Sequence, residues 1–263
     1  MVTQGEALFS RVRHTMLSAH SPDDVQAWLG KWQLGAKWWE FVEQATCLFI
    51  VGRLIRVAQH YASVHSDSKL IEKDIASFIN NDMALNREER TELVRLSIAA
   101  SVNSRPDCSQ GIAKSIRSWA QENRPNCYLC DVNLDFTVGS EAGNSYTLEH
   151  VWPRAYGGDS SEQDNLLPAC KKCNSARKKD FALWSGIAVQ STNISVLPSD
   201  NARERLEGSI KYAIHQRRVL EVAIEKRLTL KAAAIEIGPW LEIPEIIDQN
   251  DSGHFFNIRN HRL

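Results

Sequence analysis

The sequence predicts an α+β fold that is mostly α, and three observations predict it. Apolar residues recur at helical spacing through residues 1–122, with no two-residue alternation to compete. Two Cys-x-x-Cys pairs, Cys127/Cys130 and Cys170/Cys173, then bracket a stretch of strand-like composition. A helical pattern returns from Asn201 to Leu228. The expected organisation is a helical domain over 1–122, a small strand–strand–helix unit over 123–182, and a helical extension with a tail over 183–263.

Composition narrows the classes. At 263 residues and 43% hydrophobic, the chain can bury one sizeable core or two smaller ones. A formal net charge of -1 excludes a polyelectrolyte binder, so affinity for nucleic acid must come from a local patch. Six cysteines are too few for a disulfide scaffold in a chain of this length, which fits a reducing compartment. Cys47 and Cys108 stand outside the paired spacing. The charge-free apolar run Ala45 to Gly52 is far short of a membrane span, and no signal sequence precedes it. The expectation is a soluble cytoplasmic protein with no membrane partner.

The helices follow in order. Ser21-Pro22-Asp23-Asp24 supplies a capping serine, a proline at the first helical position and acids in the first turn. Val25, Trp28, Leu29 and Trp32 continue at helical spacing. A long helix is expected from Ala36 to His65, with Gly52 its only break. Ser68 to Asn80 is amphipathic through Leu70, Ile71, Ile75, Phe78 and Ile79. Asn86 and Glu89 have capping-box spacing ahead of Leu93, Leu96 and Ala100. Ile112, Ile116 and Trp119 mark a further short helix, stopped at Asn123-Arg124-Pro125. Trp28, Trp32, Trp38 and Trp39 read first as core packing, and second as a ligand or partner groove.

Beyond the second cysteine pair, Asp180 to Val189 reads as helical and Thr192 to Ser199 as a loop or brief strand. The Asn201–Leu228 helix carries Arg203, Arg205, Lys211, Arg217, Arg218, Lys226 and Arg227, either a phosphate-tracking face or a solvated one. Gly238-Pro239 ends helical structure. An acidic segment from Pro244 to Asp251 and a basic, aromatic tail from His254 to Arg262 follow.

The central stretch carries the chemistry. Four cysteines in two such pairs suit a tetrahedral structural zinc. With that shell closed by sulfur, Glu149 and His150 are left for other work. Tyr146 to Val151 has strand composition, Leu166-Leu167 is its expected partner, and a helix is expected after Cys170. Alternation along a strand sends Glu149 and His150 to opposite faces, but a bend before Pro153 lets both reach one site. Packing the helix on the hairpin brings Asn174 towards Glu149. One carboxylate and one amide oxygen, completed by waters, suit magnesium. An imidazole beside a phosphate can take a proton from water near neutral pH.

These residues resemble the HNH endonuclease family. The resemblance rests on Glu149-His150-Val151-Trp152-Pro153-Arg154 with Gly157-Gly158, on Asp164-Asn165-Leu166-Leu167, and on Cys170-Lys171-Lys172-Cys173-Asn174 with Lys178. It covers Cys127 to Lys179 and none of the flanking helices. It implies a ββα-metal core of the zinc-bearing, four-cysteine branch, with Cys127, Cys130, Cys170 and Cys173 on structural zinc. It further implies His150 as general base, Glu149 and Asn174 on a catalytic magnesium or manganese ion, and Asn165 tying the loop and orienting the histidine. Arg154, Lys172, Arg177 and Lys178 are the expected phosphate contacts. The implied reaction is hydrolysis of DNA phosphodiester bonds leaving a 5′-phosphate.

The domain layout suggests the effector nuclease of a bacterial anti-phage system, paired with a sensor or ATPase subunit. Two alternatives stay open: a zinc-stabilised module that grips nucleic acid or protein without cutting, and a nuclease for RNA or for a particular structure. Each residue also has a plainer role. His150 can be a hydrogen-bonded structural histidine, Glu149 a surface carboxylate or a partner of Arg154, Asn174 a helix cap, and Asn165 a turn residue.

Overall fold

A computed structural model describes residues 3–19, 36–83, 85–104, 107–159, 163–177, 215 and 218–239. The described part is mostly helical, with one two-stranded antiparallel sheet. Its contacts divide the chain into two compact units, and the division is not linear. The first is Met1–Asp107 together with Trp152–Ser161; the second is Cys108–Val151 together with Glu162–Leu263.

In the first unit, α1 (Gln4–Ala19), α2 (Ala36–Val64), α3 (Ser68–Asp82) and α4 (Arg87–Asn103) form a helical core. Local chemistry starts them. Thr3 and Glu6 exchange backbone-to-side-chain hydrogen bonds at the head of α1, and the Asp67 carboxylate accepts from the Lys69 amide at the head of α3. At α4 both bonds of the expected capping box form: Asn86 accepts from the Glu89 amide, and Glu89 from the Asn86 amide. The other three helices all pack on α4. Leu8, Val51, Leu54, Ile75, Ile79, Leu93 and Ala100 are fully buried among them.

A short 3-10 turn, Arg154–Tyr156, completes this unit. Trp152 is buried with its ring 5.5 Å from that of Phe9, and its indole N–H donates to the Tyr156 carbonyl. The chain passes so close to α1 that a Cβ on Gly5 would lie 1.9 Å from that same carbonyl oxygen. Gly52 does not break α2, contrary to expectation. The helix runs through it, and the missing side chain leaves room for the Tyr156 ring, which a Cβ would meet at 3.0 Å.

Gly157 has φ +81°, and a Cβ there would sit 2.7 Å from that of Ala100. Gly157→Val is therefore expected to destabilise the protein by about 3 kcal/mol, combining left-handed strain with overpacking. Gly139→Ala is the control: φ is +79° but the space is open, so about 1 kcal/mol is expected. Equal melting temperatures for the two variants would contradict this account of the turn.

The second unit contains α5 (Gln110–Asn123), β1 (Tyr146–His150), β2 (Leu166–Cys170), α6 (Lys171–Arg177) and α7 (Leu230–Ile237). Residues 218–226 are also helical. Ser109 and Thr229 cap α5 and α7, accepting from the Ile112 and Ala232 amides. Gly238, at φ +77°, ends α7, as the Gly-Pro pair predicts. The strands pair in register from Tyr146 opposite Cys170 to His150 opposite Leu166. β2 is longer than its expected Leu-Leu core and is buried along its whole length.

Several expectations lie outside the described residues: the Ser21 helix start with Trp28 and Trp32, residues 180–199, most of Asn201–Leu228, and the tail. The side chains of Trp38, Trp39 and Arg177, and all of Lys178, do so too. Among the described residues, no helix is long and apolar enough to cross a membrane.

Candidate functional site

The four expected cysteines come together. The Sγ atoms of Cys127, Cys130, Cys170 and Cys173 all lie within 4.8 Å of one another. Cys130 and Cys170 are 3.8 Å apart, close to the edge of a tetrahedron built on zinc–sulfur bonds of about 2.3 Å. Main-chain contacts hold the frame. The Cys173 amide donates to the Cys170 sulfur at 3.3 Å. The Asp131 amide closes the first knuckle on the Cys127 carbonyl, and the Tyr128 amide ties that knuckle to the Pro168 carbonyl of β2. Asp131 adopts φ +61°, the left-handed turn such a tight knuckle needs.

So close together, the thiols bias one another. Hydrogen bonding from Cys130 draws Cys127 down to about 7. Hydrogen bonding with Cys127 draws Cys170 down and pushes Cys130 and Cys173 up. The donor set, its spacing and its burial fit a metal ion such as zinc. Among the described residues it is the only group of three or more His, Cys, Asp or Glu side chains close enough to share one.

Glu149 and His150 close β1. The strand runs through both and the chain bends directly after them, at Val151 and Trp152, ahead of Pro153 as expected; Glu149 is buried and His150 half-buried. Asn174 packs back from α6 onto β1. Its amide nitrogen donates to Thr147 Oγ1 at 3.1 Å and to the Leu148 carbonyl at 3.3 Å. A carbonyl can only accept, so it is the amide nitrogen that faces the strand. Thr147 and Glu149 alternate onto the same face of β1, and Asn174 therefore lies on the face that carries Glu149. It is not a helix cap.

Thr147 escaped the sequence reading, although the two-residue period from Glu149 points to it. Its hydroxyl also donates to the Ala169 carbonyl across the sheet, which fixes it as a post for Asn174.

Asn165 is buried and sits just ahead of β2. Its carbonyl accepts from the Val151 amide at 2.8 Å, one residue beyond His150. Arg154 belongs to the helical unit, where its guanidinium pairs with Asp107 at 2.7 Å. Lys172 is exposed on α6. Lys171 pairs with Glu141.

The extension also contributes where no motif pointed. His215 is fully buried, its ring 6.1 Å from that of Tyr128 in the first knuckle, and its Nε2 lies 2.8 Å from the Gly238 carbonyl.

No family model, curated protein or solved structure matches the chain.

Proposed function

We propose that the protein is an HNH-type endonuclease that hydrolyses DNA phosphodiester bonds, with the Tyr146–Arg177 strand–strand–helix as a ββα-metal core and the four cysteines on structural zinc. The observation that carries this reading is Asn174. Its bonds to Thr147 and Leu148 bring an amide oxygen to the same strand face as the Glu149 carboxylate, one residue from an imidazole at the strand end.

In this reading Glu149 and Asn174 Oδ1 hold a magnesium or manganese ion that keeps most of its water. When bound, the ion supplies neutralisation of charge on the phosphate and on the departing oxygen. His150 accepts a proton from the attacking water as the new P–O bond forms. The P–O3′ bond breaks, the 3′-oxygen takes a proton from solvent, and the phosphate stays on the 5′ side. Asn165 keeps the histidine's neighbour in place through the Val151 amide. Lys172, Arg177 and Lys178 contact flanking phosphates in this proposal, as does Arg154 after exchanging Asp107 for phosphate. The helical unit and the extension supply target choice and activation, and we place the protein in the cytoplasm as the effector of an anti-phage system, working with a sensor or ATPase subunit.

Supercoiled plasmid, single-stranded DNA and RNA, each with magnesium, manganese or chelator, test the proposal. Nicked or linear plasmid only with the divalent ion is expected, with 5′-phosphate ends. Cleavage of RNA alone would move the substrate class. Binding without cleavage of any substrate would favour the non-cutting module.

A further inference from the structure

Lys231 is a long cation placed among three parts of the second unit. It lies in the first turn of α7, which packs on the 163–165 turn. Its ammonium donates to the Gln163 carbonyl at 2.7 Å and stands 5.5 Å from the centre of the Trp119 ring on α5. Burial lowers its pKa, while the charge of neighbouring Asp164 raises it. A half-buried ammonium held between a carbonyl and an aromatic face makes a directional tie: the Trp119 ring on α5 holds the ammonium, and the hydrogen bond to Gln163 weakens if the turn shifts.

The turn it holds leads straight to the candidate site. Gln163, Asp164 and Asn165 form one 3-10 turn, and the Asn165 carbonyl accepts the Val151 amide at 2.8 Å. Val151 follows His150. The path from Lys231 to the base thus runs through one hydrogen bond, one turn, a second hydrogen bond and one peptide unit. His150 pairs opposite Leu166, the residue after the turn, so the turn also sets the last register of the sheet.

We propose that Lys231 is a positioning residue: it clamps the 163–165 turn so that the end of β1 presents His150 at a fixed angle. The inference rests on the nuclease reading for its catalytic consequence, but not for the clamp itself.

The test compares Lys231→Met and Lys231→Arg with wild type in the full chain. The measurements are zinc content, hydrogen exchange at the Val151 amide, and kcat and KM on duplex DNA. Lys231→Met is expected to speed Val151 exchange at unchanged zinc content and to lower kcat about tenfold with KM nearly constant, because misplacing a catalytic group costs rate rather than binding. Lys231→Arg, which keeps the charge and the donor, is expected to restore most of the rate. Should Lys231→Met lose zinc, Lys231→Gln, which keeps a polar side chain but ends one bond short of the ammonium position that meets the Gln163 carbonyl, carries the same comparison.

Unchanged Val151 exchange overturns the clamp whether or not the protein cuts. Faster exchange with unchanged kcat overturns the positioning role and leaves the nuclease reading standing. A raised KM at constant kcat would make Lys231 a substrate contact instead. No cleavage by wild type would fail the nuclease reading, while exchange alone would still decide the clamp.

Discussion

His150→Ala is expected to reduce plasmid cleavage by about 10²- to 10⁴-fold, the rate that a positioned general base contributes. Zinc content should not change, because His150 belongs to the sheet end and not to the cysteine cluster. Stability should change little. The side chain is half-buried rather than enclosed, so a cost near 1 kcal/mol and a fall of about 2–4 °C in melting temperature are expected. The separation of the two readouts is the point of the experiment. Lost cleavage with lost zinc would mean that His150 holds the fold, and retained cleavage would remove it from the reaction.

The second large effect is structural. Cys173→Ser takes one sulfur from a buried cluster whose four Sγ atoms lie within 4.8 Å of one another. Structural zinc contributes about 10–16 kcal/mol of binding free energy that appears only in the folded state. A serine hydroxyl is a poor replacement for a thiolate, so the variant is expected to lose its metal. Proteolytic cuts should then appear within residues 127–173, because β2 and α6 carry two of the ligands and pack on β1. Cys108→Ser is the matched control, since Cys108 lies outside the cluster and its zinc content should equal that of wild type. A Cys173→Ser protein with stoichiometric zinc and an unaltered melting temperature would exclude the tetrathiolate site.

Much of the helical architecture is legible locally. The Asn86–Glu89 box depends on residues three apart and forms as its spacing predicts. The two cysteine pairs announce their cluster because knuckle spacing is itself a local geometric rule. Gly52 shows the limit. Inside a helical pattern a glycine reads as a weak point, yet here it makes room for Tyr156, more than a hundred residues away in sequence. Nothing near Gly52 encodes that. The return of residues 152–161 to the helical unit is equally a matter of long-range packing.

At the candidate site, the position of Asn174 against β1 follows from strand alternation combined with helix placement, and Thr147 could have been found the same way. Lys231 could not. Its sequence surroundings, Thr229-Leu230-Lys231-Ala232, describe an ordinary helix start, and only the fold brings it to Gln163.

The crossing of the chain between its two units has a consequence for biosynthesis. The helical unit is finished only by Trp152 and the turn after it, where Gly5 donates its amide to the Gly157 carbonyl. A ribosome must therefore make residues 108–151 between the end of α4 and the piece that completes the helical core. At about 5–20 residues per second this is a wait of about 2 to 9 seconds. During it the pocket for the Trp152 indole, walled by Phe9, is open on the nascent chain. The N-terminal helices therefore cannot seat the Trp152 indole until residues 108–151 have been made. A chain that stops short of Trp152 thus lacks the residue that fills the space beside Phe9 and the Gly157 carbonyl that accepts from Gly5.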